Sequence, residues 1–177
     1  REVGLAATAT TEDPGRVACG DRPARGLTVA IRPGRRLGVD VGRARIGVAV
    51  CDRDGLLATP VETVARKEAT DVRRIAEIAE EYDVLEIVVG LPLSMSGGDT
   101  PSTADARAFA ERLAEHRPVR LVDERLSTVT AQRGLHQAGK NTKKSRAVID
   151  QAAAVIILQH ALDHERASSA PPGATLP

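Results

Sequence analysis

The stretch Arg36-Leu37-Gly38-Val39-Asp40-Val41-Gly42 constrains this chain more than any other. Its alternation sends Leu37, Val39 and Val41 to one face of a strand and Gly38, Asp40 and Gly42 to the other. A carboxylate inside an apolar run is costly to bury unless something compensates it. The glycines on either side keep its face open, so that an ion or a phosphate can approach. A second strand, Arg45-Ile46-Gly47-Val48-Ala49-Val50-Cys51, follows at once. Asp40 therefore stands on a tight hairpin at the heart of a sheet. The plainer alternative is an aspartate that caps the Gly42-Arg43-Ala44 turn.

The order of elements downstream sets the fold class. Asp52-Arg53-Asp54-Gly55 makes a turn, and a third strand runs from Leu57 to Val64, with Pro60 placing it at an edge or a bulge. A helix is predicted over 69–82, with Val72, Ile75, Ala76 and Ala79 on one stripe. A buried strand over 85–90, a helix over 102–116, a strand over 118–123 and helices over 128–137 and 146–165 follow. This β-β-β-α-β-α-β-α-α order predicts an α/β fold: a mixed five-stranded sheet, an antiparallel hairpin plus parallel strands, flanked by helices. Residues 1–36 carry seven Arg against four acids and no sustained period, and 1–34 read as a disordered leader. Residues 35–165 form the folded domain, and 166–177 read as a disordered tail. The chain begins at Arg1 and is not read as a full translated product. The longest apolar run, Ala152 to Leu158, is far too short to span a bilayer. The expectation is a cytoplasmic protein with no membrane association, monomer or homodimer. Cys19 and Cys51 make no metal-type pair and read as reduced thiols without a role.

Three acids stand where chemistry belongs in such a fold. Sites in open α/β sheets form outside the carboxyl ends of the parallel strands. Asp123 and Glu124 lie at such an end, and strand periodicity does not choose between them. Asp150 lies in the first turns of a helix that is apolar almost all round, where an ionised acid wants a partner. Asp40, Glu124 and Asp150 can then meet at one sheet edge. Carboxylates without His or Cys companions suit Mg²⁺ or Mn²⁺. Each also has a structural alternative: a strand-end acid, a cap, a buried salt bridge. Charge around them is polarised. Residues 117–146 carry eight positive side chains against two acids, whereas 62–86 carry eight acids against four positives. The loop Lys140 to Arg146, with Lys143 and Lys144, is a candidate phosphate holder, its alternative being a solvated charge run. Arg43, Arg45 and Arg125 flank the acids and join Lys140, Lys143, Lys144 and Arg146 as candidate nucleic-acid contacts. His136 reads as a surface histidine. Aromatics make up 1% of the chain, which excludes binding by rows of stacked aromatic platforms.

Four motifs in order resemble the YqgF/RuvX family: the opening strand pair from Arg36 to Ala49, Val89-Gly90-Leu91-Pro92 with Gly97, Asp123-Glu124-Arg125-Leu126-Ser127-Thr128, and Ile149-Asp150-Gln151-Ala152-Ala153-Ala154 with Ile157-Leu158-Gln159. The resemblance covers residues 35 to about 165 and implies a ribonuclease H-like fold and a divalent-metal nuclease, a hydrolase of phosphodiester bonds. It implies Asp40, Glu124 and Asp150 as catalytic and metal-binding acids, favouring Glu124 over Asp123. It further implies a nucleic-acid substrate: maturation of the 5′ end of pre-16S rRNA in ribosome biogenesis, on a small-subunit precursor, or, as the alternative, resolution of branched DNA at Holliday junctions. The family often has a basic residue where Ala44 stands. Asp-x-Gly followed by Gly47 also resembles the phosphate loop of actin-like ATPases, but those need two such domains, more than 177 residues supply. A binding module without chemistry is the remaining class; acids at all three positions argue against it.

Overall fold

The computed structural model describes residues 31–68, 70–124 and 143–176. Its elements are β1 (Arg35–Val41), β2 (Arg45–Cys51), β3 (Ala58–Ala65), α1 (Thr70–Glu81), β4 (Val84–Leu91), α2 (Pro101–Ala114), β5 (Val119–Asp123), α3 (Lys143–Ser168) and β6 (Ala174–Thr175). The helix expected over 128–137 lies outside the described residues. The strands form one sheet in the order β3-β2-β1-β4-β5-β6. β2 pairs antiparallel with both β1 and β3, while β1, β4 and β5 are mutually parallel. The mixed α/β class therefore holds.

Alternation in the strands divides the molecule into layers. Leu37, Val39, Ile46, Val48, Ile87, Val89 and Leu121 face α1 and α2, where Ile75, Ile78, Phe109 and Leu113 complete the larger core. The opposite face is built from smaller residues. Ala49, Cys51, Val88 and Val122 pack there against Ala154, Ile157, Leu158 and Ala161 of α3. Gly38 lies on this face under α3, where an added Cβ would stand 2.6 Å from Leu158 Cβ. The helix can thus lie close to β1 because β1 presents almost no side chain to it. Pro60 falls on the edge strand β3, at a register shift opposite Val48 and Ala49, where a missing N–H removes no needed ladder bond.

Both ends of the domain differ from expectation. The segment beyond 166 is not a disordered tail: α3 continues to Ser168, and β6 pairs antiparallel with β5, making a sixth strand. Its Ser, Pro and Gly content reads as disorder, but the open edge of β5 offers backbone groups that the tail satisfies. Leu176 N–H donates to Val119 O at 2.9 Å, and Gly173 (φ 72) brings the chain so close to Leu121 O that any Cβ would collide with it. At the other end, the ordered chain reaches back into the proposed leader. Arg32 donates from Nε to Glu165 at 2.7 Å and from Nη2 to Glu86 at 2.5 Å. A positive charge shared by those two buried acids thus comes from a residue with no local period to mark it.

Candidate active site

Asp40 sits near the carboxyl end of β1 and is buried. Its cross-strand partner on β2 is Gly47. On the other side, Val39 pairs with Val89, so that Gly90 of β4 lies next to Asp40. Opposed residues point to the same face, so Asp40 stands between two positions without side chains. Each vacancy is used. A Cβ at Gly90 would lie 2.5 Å from Glu124 Oε1, so the Glu124 carboxylate leans over that glycine. A Cβ at Gly47 would run into the Asp150 carbonyl oxygen, so the start of α3 rests directly on β2. Three acids from three distant segments thus come to neighbouring strands, which are roughly 5 Å apart. Register also separates Asp123 from Glu124. Val122 packs under α3, so Glu124, two residues on, shares its face, while Asp123 points to the other. Glu124 is buried; Asp123 is partly exposed.

The Asp150 side chain is held by Arg45, whose Nε donates to Oδ2 at 2.6 Å. Both side chains are partly exposed, at 33% and 25%. Among the described residues, no three His, Cys, Asp or Glu side chains stand close enough together to hold a metal ion. The donor chemistry nevertheless fits a hard divalent cation: oxygen only, brought to one face by the close approaches at Gly47 and Gly90. For Asp150 to join Asp40 and Glu124, its carboxylate must turn from Arg45.

The β1–β2 turn is braced from the side by Arg66, which the sequence reading did not single out. Arg66 N–H donates to Ala44 O at 3.0 Å, and its guanidinium donates to Gly42 O at 3.3 Å. The same guanidinium pairs with Asp105 at 2.9 Å and lies 5.0 Å from the Phe109 ring centre. No local pattern marks it, because its partners come from the β1–β2 turn, α1 and α2. Arg43 is exposed at the turn and lines a cavity with Pro101, Ser102 and Asp105. Lys143, Lys144 and Arg146 belong to the opening turns of α3, so the basic segment expected to be a loop is helical from Lys143. Arg125, Lys140 and His136 lie outside the described residues, as does Cys19. Cys51 is buried, and burial pushes its thiol pKa up.

Residues 34–164 match the family described as "RuvX: Holliday junction resolvase". The chain belongs to the RuvX family. Similar proteins include a "Putative pre-16S rRNA nuclease" of Leifsonia xyli subsp. xyli (strain CTCB07), 64% identical over 146 residues, covering 81% of this chain and 94% of that protein. A protein of the same name from Streptomyces coelicolor is 57% identical over 147 residues, covering 81% and 88%. Among solved structures, "T. thermophilus RuvC in complex with Holliday junction substrate" aligns with a TM-score of 0.49 and 15% identity, covering 78% of this chain and 99% of that one. The RuvX chain is a nuclease, a hydrolase of phosphodiester bonds. Among its described residues, no helix is long and apolar enough to cross a membrane.

Proposed function

We propose that this RuvX protein is a cytoplasmic, metal-dependent endonuclease that matures the 5′ end of pre-16S rRNA. The observation that carries this reading is the placement of Asp40 between Gly47 and Gly90, with Glu124 over one glycine and Asp150 over the other. The substrate follows from the relatives named for pre-16S rRNA, which align along most of their length. Asp40, Glu124 and Asp150 would hold one or two Mg²⁺ or Mn²⁺ ions. Such an ion supplies a Lewis acid that lowers the pKa of a bound water and stabilises a leaving oxygen. Asp40, fixed on the central strand, sets the centre of the site. Glu124, just past β5, and Asp150, on α3, would enclose it from either side. Arg45 stands beside Asp150 and, once released from it, can meet a substrate phosphate. Arg43 on the turn, Arg125, and the basic run Lys140, Lys143, Lys144 and Arg146 offset the negative charge of the site toward a polyanion.

The test is Asp40→Asn, which keeps the shape and removes a charge. With Mg²⁺ or Mn²⁺ and a labelled RNA spanning the 5′ end of 16S rRNA, the variant should lose cleavage while melting near the wild-type temperature. Unchanged cleavage would remove Asp40 from the mechanism. The family description favours a second reading, cleavage of four-way DNA junctions. Depletion in cells separates the two: the rRNA reading requires extended 16S 5′ ends to accumulate.

A further inference from the structure

Met95 has no place in the chemistry above. It is the only methionine of the chain and is 89% exposed. Single exposed apolar residues are ordinary; the loop that carries this one is not. β4 leaves the sheet at Leu91, at the same edge as Asp40 and Glu124, because β1, β4 and β5 are parallel. The chain then closes on itself. Ser94 N–H donates to Gly98 O at 2.9 Å, Gly97 N–H to Ser94 O at 2.8 Å, and Gly98 N–H to Ser94 Oγ at 2.9 Å. Gly97 takes the left-handed backbone (φ 86) that this closure needs. The foot of the loop is anchored too, by Leu93 against the larger core and by the Thr100 and Thr103 hydroxyls on the Pro92 carbonyl. Met95 is therefore raised at the tip of a pinned loop.

The loop's chemistry narrows what it can touch. From Pro92 to Thr100 it has no Lys or Arg, and its one charge, Asp99, pairs with Arg107. It is not built to hold phosphates. It offers an apolar side chain flanked by two serines. The two aromatic residues cannot take this part: Phe109 is buried beneath Arg66 and Arg112, and Tyr82 lies at the opposite edge of the sheet, before β4 begins.

We propose that Met95 is the base-contacting wedge of this nuclease, packing its thioether against the face of a base where a paired stem meets a single strand. The proposal rests on the nuclease reading and adds the feature of the substrate that is read. Apolar side chains, Met among them, wedge between base steps and partly unstack them. Unstacking opposes insertion least where a base already lacks one neighbour. Met95 therefore selects the end of a stem over uniform duplex. Its unbranched, polarisable side chain adapts to any base, which suits recognition of a junction rather than a sequence.

The probe is an RNA stem with a single-stranded 5′ flank, carrying 2-aminopurine as the last paired base. The wild-type protein should raise its fluorescence, as the base leaves its stack. Met95→Ala should abolish that rise and weaken binding by up to about tenfold, with an unchanged melting temperature because the side chain is exposed. Met95→Leu should restore most of both. A full fluorescence rise with Met95→Ala, or loss of the rise with Met95→Leu, overturns the proposal. Asp40→Asn separates it from the catalytic reading, since that variant should keep the rise and lose cleavage. If Asp40→Asn cleaves normally while the rise still depends on Met95, the assignment of the acids fails and the wedge stands.

Discussion

The face of the sheet beneath α3 buries carboxylates at both ends, and the two ends treat them in opposite ways. At the end where β1 begins, Glu86 and Glu165 are surrounded by long guanidinium side chains. Arg36, 1% exposed, reaches Glu165 at 3.0 Å; Arg120 reaches Glu86 at 3.2 Å; Arg32 bridges both acids. The arginines fill the space and supply forked donors, leaving no room for a ligand. At the end where β1 finishes, Asp40 and Glu124 are just as deeply buried, at 6% and 5%, but their neighbours on the adjoining strands are glycines. One end closes a network of guanidinium groups; at the other, the glycines let the Glu124 carboxylate and the Asp150 backbone come down onto the strands beside Asp40. Burial of a carboxylate therefore does not by itself tell the two ends apart. The size of the side chain beside it does.

Gly90→Ala breaks the glycine-flanked end most directly. The new Cβ would meet both Glu124 Oε1 and Ile157 Cδ1, at 2.5 and 2.6 Å. Displacing Glu124 by an ångström should lower single-turnover cleavage about a hundredfold. Circular dichroism should still report a folded domain. At the closed end, Glu165→Gln should do the reverse. Leaving Arg36 buried without its charge partner should cost about 3 kcal/mol in a denaturant titration, with the cleavage rate per folded molecule preserved.

Acid sharpens the same contrast. Burial alone would raise the pKa of Glu165, but the hydrogen bonds from Arg32 and the nearby Arg36 outweigh it and hold the carboxyl below its ordinary value of 4.5. A depressed carboxylate contributes its full stability above the unfolded value and loses it as pH falls through the folded one. Wild-type melting temperature should thus drop on acidification below pH 4.5. The drop should be shallower in Glu165→Gln. A smaller effect separates two truncations. Removal of residues 1–30 should leave the melting temperature unchanged. Removal through residue 34 deletes Arg32, whose side chain is 38% exposed, and should cost about 1 kcal/mol. Least of all for stability, replacing Lys140, Lys143 and Lys144 with Ala should leave melting untouched. It should flatten the dependence of log affinity on log salt by about 0.7 per lost contact on single-stranded RNA.

Much of this was legible in the chain itself. The alternation of β1 and β2 placed Asp40 on a central hairpin, and Pro60 put β3 at an edge. Among the described residues, the helix boundaries fell within a few residues of expectation, because apolar stripes are local. Gly38 was readable as an opening beside Asp40. Gly47 and Gly90 were not read that way, although a glycine inside an apolar strand signals a close approach. Their meaning depends on which strand lies alongside.

What the sequence determined by itself was therefore the faces: which residues share one side of a strand or one stripe of a helix, since periods of 2 and 3.6 are properties of the backbone. It also determined that few aromatics were available and that the motifs of the RuvX family stand in order. Only the tertiary structure decided which faces meet. The register of β5 on β4 put Glu124, and not Asp123, beside Asp40; the seat of α3 on Gly47 brought Asp150 to the same edge and within reach of Arg45. The open edge of β5 turned a Ser/Pro/Gly tail into β6, and the need to compensate Glu86 and Glu165 drew Arg32 out of the leader. Each of these depends on partners far away in the chain, and local periodicity carries no information about where a distant segment lies.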